Sequence, residues 1–383
     1  MIRETVARSL LRRQKRIDSW FVAPYGMNLY RGCTHGCVYC DGRAERYYVD
    51  GEFGRHVTVK VNALDLLRRE LDPARRRKPL ARGYVFLGGG VGDSYQPAEE
   101  IYRLARGALE ILLEHGRPVH VLTKSTGVLE DAGLIRRIHE RSAAVVSVSL
   151  SSLDEGLSSV VEPGVPSPLE RLEILRHFKE IGVPCGVYLM PILPGLSDSP
   201  EQMEAVLQAA SETGVDFLCF AGLTLREGRQ KGFYLEALGK LAPEQVRITE
   251  ALYPPNPWGQ AKESYSMALS RRFYAVSRRY RVPLRIPPEL YWKLLDDNDR
   301  IMVALEHIEY LLRIRGRRSA FGRAARTAGS LKEPISEVRQ DILEMQRLQA
   351  IDPEAAKVIV EMLDTGRSKL YEDLLRPWLA VER

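Results

Sequence analysis

From residue 80 to about 225 the chain alternates between two textures of apolar and polar positions. Short runs rich in Val, Phe and Leu occupy residues 84–90, 118–123, 143–149, 183–190 and 216–222, each ending near Gly, Ser or Pro. Runs that stay apolar at nearly every position predict strands buried on both faces, as in a parallel sheet. Between them, apolar residues recur at helical spacing over residues 98–114, 127–141, 168–181 and 200–213. Ser167 and Ser199 stand where N-caps belong, each followed by a proline that a first helical turn tolerates. Gly182 and Gly214 stand where a left-handed C-terminal glycine belongs.

Repeated strand–helix units predict right-handed crossovers and a parallel sheet. Adding a first strand at 26–31 and a first helix at 62–71 gives six strands, short of the eight of a complete TIM barrel. The expected fold class is therefore α/β, a partial (β/α)6 TIM-type barrel. The YPPNP stretch at 253–257 ends this unit or loops out of it, and 264–280 resumes as a helix. Beyond residue 290 the strand texture disappears. Ile301, Leu305, Ile308 and Leu312 recur at helical spacing, as do Ile335, Val338, Ile342 and Met345. Asp352, Pro353 and Glu354 open another helix, with Val358, Ile359 and Met362 on its apolar face. The chain divides into a basic N-terminal extension (1–25), the barrel (26–289) and a helical C-terminal region (290–383).

Composition sharpens this reading. Of 383 residues, 45% are hydrophobic and 28% charged, which excludes disordered, collagenous and fibrous chains. No apolar run approaches the ~20 residues a bilayer span needs, so no membrane partner is expected. The N-terminus, MIRETVARSLLRRQKR, is basic without the apolar core of a secretory signal. Five cysteines, three of them between residues 33 and 40, do not make a disulfide framework, and a reducing cytoplasm is expected. The net charge is +6, and residues 313–326 (RIRGRRSAFGRAAR) alone carry six arginines and no acid. Smaller clusters are Arg12, Arg13, Lys15, Arg16 and Arg75, Arg76, Arg77, Lys78. Such patches suit phosphate backbones or other anions, and they are equally what solvated loops look like.

The chemistry concentrates in NLYRGCTHGCVYCDGR, where Cys33, Cys37 and Cys40 follow Cys-x3-Cys-x2-Cys. Soft thiolates this close suit an iron–sulfur cluster or zinc. A structural zinc site wants four closed ligands, usually from two separated pairs. No second pair exists, since Cys185 and Cys219 are isolated in apolar strands, and His35 lies inside the first loop. An iron–sulfur cluster is the favoured reading. A four-iron cluster on three cysteines leaves one iron for a small chelating molecule.

This spacing, with Tyr39 before the third cysteine at the start of a partial barrel, resembles the radical SAM superfamily. Within it, YRGCTHGCVYCDGR, GGGVGDSYQP and MPILPG resemble the spore photoproduct lyase-like group, associated with DNA repair, over roughly residues 20–290. The resemblance implies a 4Fe-4S cluster on Cys33, Cys37 and Cys40, with S-adenosylmethionine chelated at the open iron and cleaved reductively to a 5′-deoxyadenosyl radical. It implies an electron donor of flavodoxin or ferredoxin type. It would place Gly88, Gly89 and Gly90 at the cofactor's methionine, though the acid that often follows such glycines is missing and Asp93 is the nearby substitute. It would put Lys124 near the cofactor carboxylate and Ser149 near the ribose. Met190 and Leu193 would back the adenine, with Tyr39 packed on the same ring, and Glu162 and Arg171 are further candidates. Where spore photoproduct lyases carry a cysteine that returns a hydrogen atom, this chain has Gly90, which argues against that particular reaction.

The substrate is left open by the sequence. Nucleic acid, reached through residues 313–326, is one reading. A peptide or small molecule is another, and a non-enzymatic zinc- or cluster-stabilised nucleic-acid-binding protein is a third. If all six arginines met duplex phosphates, the log–log salt slope would be roughly −5.

Overall fold

The computed structural model describes residues 1–75, 79–88, 92–338 and 351–379. Gly89, Gly90, Arg76, Arg77, Lys78, Ile342 and Met345 lie outside the described residues. The strands are β1 (Ile2–Thr5), β2 (Leu11–Asp18), β3 (Ala23–Met27), β4 (Tyr30–Arg31), β5 (Val57–Lys60), β6 (Val85–Gly88), β7 (Val119–Thr123), β8 (Ala144–Leu150), β9 (Cys185–Ile192) and β10 (Phe217–Gly222). Seven of them form one sheet in the order β10-β9-β8-β7-β6-β3-β2, curled into a half-barrel. Every neighbouring pair is parallel except β2 with β3. β1, β5 and β4 make a separate small sheet beside the barrel. The six parallel strands are those expected of a partial barrel.

Two differences concern the N-terminal part. The first barrel strand is Ala23–Met27, earlier than 26–31, and Tyr30–Arg31 pairs in the small sheet instead. Residues 1–25, read as a basic extension, supply β1 and the antiparallel seventh strand β2. Charged residues on a sheet edge discourage further pairing, so an edge strand can be as basic as LRRQKRID.

Helices α1 (Ala63–Leu71), α2 (Ala98–Tyr102), α3 (Leu104–Glu114), α4 (Ala132–Arg141), α5 (Glu155–Val161), α6 (Pro168–Glu180) and α7 (Pro200–Thr213) follow the strands. The stretch 98–114 is two helices because Arg103 takes a left-handed conformation. The Glu99 carboxylate then caps the second helix by accepting the N–H groups of Ala105 (2.8 Å) and Arg106 (3.2 Å). α6 has a full capping box between Ser167 and Glu170, and Ser199 caps α7. Two helices that the sequence analysis did not anticipate, α8 (Arg229–Leu241) and α9 (Pro243–Leu252), precede the YPPNP loop, and α10 (Glu263–Ser277) follows it.

Beyond α10, Leu218 of β10 donates its N–H to the Pro283 carbonyl (2.8 Å), which ties the buried residues Val282, Leu284 and Ile286 to that edge of the sheet. α11 (Asp297–Ile314) and α12 (Phe321–Ala328) come next, followed by helices at Pro353–Thr365 and Lys369–Leu375. Residues 335–338 are turns rather than part of a helix. Ile301, Leu305, Leu312 and Trp378 are buried in the same apolar core as the strands. The barrel base is packed solid. Phe21 stacks on Phe86 at 4.0 Å, His120 and Tyr188 meet it edge-on or tilted, and Phe217 packs edge-on against those two rings. Gly186 lies on this inner face, where a Cβ would meet the Phe217 ring at 2.3 Å. Among the described residues no helix is long and apolar enough to cross a membrane.

Candidate active site

The cysteine loop follows β4 and is fastened from four directions. Gly32 has φ +83°, and a Cβ there would stand 2.4 Å from the His56 carbonyl, so only glycine fits. Gln96 is fully buried; its carbonyl accepts the Thr34 N–H (3.1 Å) while its amide donates to the Gly32 carbonyl (3.0 Å). Gln230, on α8, donates to the Tyr39 carbonyl (3.1 Å) and to Asp41 (3.0 Å). Val38 donates to the Val161 carbonyl (2.9 Å), and Gly164 donates to the His35 carbonyl (3.0 Å). A Cβ at Gly164 would lie 2.8 Å from the Thr34 carbonyl. Arg43 folds back beneath the loop and bonds two of its carbonyl groups, at Gly36 and Cys37, together with that of Phe53.

The loop hangs over the C-terminal ends of the strands, where ligands bind in such sheets. There Cys33, Cys37 and Cys40 line one cleft with Asp93, Lys124 and Ser149. Asp93 ties the ends of the strands together. Its carboxylate accepts the Thr123 hydroxyl (2.7 Å), the Lys124 N–H (2.8 Å) and the Tyr95 N–H (2.8 Å), with His35 Nδ1 at 3.6 Å. Its accepting directions are thereby largely taken. The Lys124 ammonium lies 5.9 Å from the Tyr39 ring centroid. Burial alone would disfavour its charge, but negative charge on the Cys37 sulfur when it ionises, and the Glu162 carboxylate, outweigh that and raise its pKa above the ordinary value.

Beneath the cleft, Tyr39 donates its hydroxyl to Glu162, and Glu162 pairs with Arg171 at 2.6 Å with both side chains fully buried. Arg171 also donates to the Ser149 carbonyl (2.8 Å) and the Ser158 hydroxyl (3.1 Å). Burial would raise the Glu162 carboxyl, yet Arg171 and then Lys124 hold it below the usual range. Burial pushes the Cys37 thiol up to about 12 and raises those of Cys33 and Cys40, so three neutral thiols await an electropositive partner. All five cysteines are free of disulfides. Among the described residues no three His, Cys, Asp or Glu side chains are gathered as a site for one metal ion.

The cleft thus unites Cys33, Cys37, Cys40, Asp93, Lys124 and Ser149 from the sequence candidates. Gly88 ends β6 so close to β7 that a Cβ would stand 2.4 Å from the Leu122 carbonyl. Met190 is half-buried near the end of β9, and Leu193 is fully buried beneath the loop with Cys37, Val38 and Tyr39. Cys185 turns outward to the Leu175 carbonyl under α6, and Cys219 is fully buried within the sheet. Sequence reasoning missed Gln96, Arg43, Gln230 and Gly164. Gln96 and Arg43 lay in segments already singled out, GGGVGDSYQP and YRGCTHGCVYCDGR, whereas Gln230 and Gly164 lay outside them.

Residues 27–208 match the radical SAM superfamily. An uncharacterized protein of Mycobacterium tuberculosis is 34% identical over 262 residues, spanning 67% of this chain and 75% of that protein. An uncharacterized protein of Methanocaldococcus jannaschii is 28% identical over 215 residues, spanning 56% of this chain and 76% of that one. Among solved structures, spore photoproduct lyase complexed with dinucleoside spore photoproduct superposes with a TM-score of 0.54 at 16% identity, covering 73% of this chain and 79% of that one. A mutant of that lyase with bound AdoMet and dinucleoside spore photoproduct gives 0.54 at 17% identity, with the same coverage. At such identities the structural likeness is one of fold.

Proposed function

This chain belongs to the radical SAM superfamily, and from that premise we propose that Cys33, Cys37 and Cys40 hold a 4Fe-4S cluster whose remaining iron is chelated by S-adenosylmethionine. The observation that carries this reading is the single cleft in which three free thiols face Lys124 and Ser149. The donor set fits. Soft sulfur suits iron, and no fourth cysteine lies with the three to close a tetrahedral zinc site. When bound and reduced, the cluster would give one electron to the sulfonium, which would part into methionine and a hydrogen-abstracting 5′-deoxyadenosyl radical. A flavodoxin- or ferredoxin-type protein is the proposed electron source.

The chain's own residues bind, orient and exclude water. Lys124 presents an ammonium to the cofactor carboxylate, and Ser149 presents a hydroxyl to the ribose. Gly88, with Gly89 and Gly90, lets the methionine part approach the backbone, while Met190 and Leu193 support the adenine and Tyr39 packs beside it. Asp93 is already engaged by Thr123, Tyr95 and Lys124. We therefore assign it to holding the Lys124 backbone rather than to the cofactor's amino group.

A nucleic-acid substrate is favoured by the arginine segment. Arg313, Arg317, Arg318, Arg323 and Arg326 are exposed, whereas Arg315 turns inward to the Leu374 carbonyl and the Trp378 ring. Five phosphate contacts would give a log–log salt slope of about −4.5 with duplex DNA. A slope near zero, or no binding, would turn the substrate reading to a peptide or small molecule. The central test is anaerobic reconstitution with iron and sulfide, then dithionite-dependent 5′-deoxyadenosine formation with and without irradiated DNA. Cys37→Ala should abolish that product; full retention would overturn the assignment.

A further inference from the structure

Arg43 lies three residues beyond the third cysteine and is buried at 7% exposure. Its Nε donates to the Cys37 carbonyl (2.9 Å), Nη2 to the Gly36 carbonyl (2.7 Å) and Nη1 to the Phe53 carbonyl (3.2 Å). Its planar face meets the Phe233 ring at 3.6 Å and the Phe53 ring at 5.1 Å. Every acceptor is neutral. Among the described residues no carboxylate comes within 4.0 Å of this guanidinium, and Glu52 reaches it only at longer range.

An arginine buried this way is unusual, because a desolvated cation is ordinarily matched by an anion. Its Nε bond to the Cys37 carbonyl sets the guanidinium directly against one of the three cysteine positions. Elsewhere around the loop, neutral glutamines do the fastening. Arg43, like Glu162 beneath Tyr39, is a fastener that carries a full charge, and its fork geometry spans three carbonyl groups at once. The aromatic rings on its faces keep water from screening that charge.

We infer that Arg43 is a second, buried counterion of the cluster besides Lys124, both anchoring the Gly36–Cys37 backbone and raising the reduction potential of the group held by Cys33, Cys37 and Cys40. Each electron received makes the thiolate-bound cluster more negative, so a fixed neighbouring cation favours the reduced form. Arg43 is thus a positioning residue whose charge is felt at the iron without touching it. The inference rests on the reading that these cysteines hold a cluster.

The test is an anaerobic redox titration of the full chain followed by electron paramagnetic resonance, with iron and sulfide analysis of each sample. R43Q removes charge and fork together, and its reduction equilibrium should fall at least tenfold, which is about 59 mV for one electron. R43K keeps the charge but not the fork; it should stay within about threefold of the original equilibrium while holding less iron. F233A, at a position 38% exposed and therefore tolerant, admits water to the guanidinium and should lower the equilibrium two- to fivefold. An unaltered chain that takes up no iron or sulfide defeats the underlying reading. A loaded chain in which R43Q and F233A keep the original midpoint overturns the inference alone, as does an R43K shift equal to that of R43Q. Should R43Q yield no loadable protein, F233A and R43K decide the matter.

Discussion

Glu162 and Arg171 sit with no solvent on either charge, so neither can lose the other without leaving an unpaired ion in the interior. Arg171→Met should lower stability by about 3–5 kcal/mol, measured by urea unfolding of the cluster-free protein. A change under 1 kcal/mol would mean that Lys124 and the surrounding hydroxyls suffice for Glu162. The pH dependence has a definite sign. The Glu162 carboxyl is held below its unfolded value, so its contribution is complete above about 4.3 and disappears as pH falls through the lower folded value. The three cysteines were legible in the sequence because they fall in one compact, chemically distinctive word, whereas Lys124 was reached only through the family resemblance. Gln96 and Gln230 were not legible. They act by bonding main-chain groups of residues 62 and 191 positions away, and the main chain has no signature to read.

At the level of elements, the strand–helix alternation was readable because each parallel strand is covered on both faces and each crossover helix has local punctuation. The Ser167–Glu170 capping box shows how local that information is. Ser167→Ala should cost about 1 kcal/mol, with Ser167→Asp recovering most of it; equal stability of all three proteins would remove the cap's role. β2 escaped notice because LRRQKRID holds only two apolar residues, Leu11 and Ile17, with five polar ones between them, which suits an edge and not a core. α8 and α9 escaped because their apolar faces pack a second, smaller cluster under the cysteine loop instead of the barrel sheet. The break at Arg103 is invisible to periodicity, since the apolar rhythm continues across it.

For the whole molecule, the terminal helices and the barrel share one core. A fragment ending at residue 289 should therefore aggregate, whereas a soluble, cooperatively melting fragment would mark residues 290–383 as independent. Two buried histidines make the assembly acid-sensitive. Burial pushes His120 down to about 4 and His307 to about 3, below the unfolded value near 6.5. Each is neutral when folded, so the stability it provides is full above about 6.5 and shrinks as pH falls. Between pH 6.5 and 5 each should withdraw about 2 kcal/mol. Asp299, raised to about 6 by burial and then by Asp296, works the other way and offsets about 1.4 kcal/mol. The net loss of about 2–3 kcal/mol should appear as a lower melting temperature at pH 5 than at pH 7; identical values would mean that the imidazoles remain accessible to protons.

The fastening of the cysteine loop also sets a timetable. Cys40 leaves the ribosome long before Gln230, whose amide completes the grip on Tyr39 and Asp41. At ordinary elongation speeds the interval is roughly 10 to 40 s. Throughout it the three sulfurs hang from a nascent, unfinished chain, open to oxidants and to stray metals. The window in which this polypeptide is most easily poisoned, and in which cellular machinery could best shield it, therefore closes only once more than half of it has been translated.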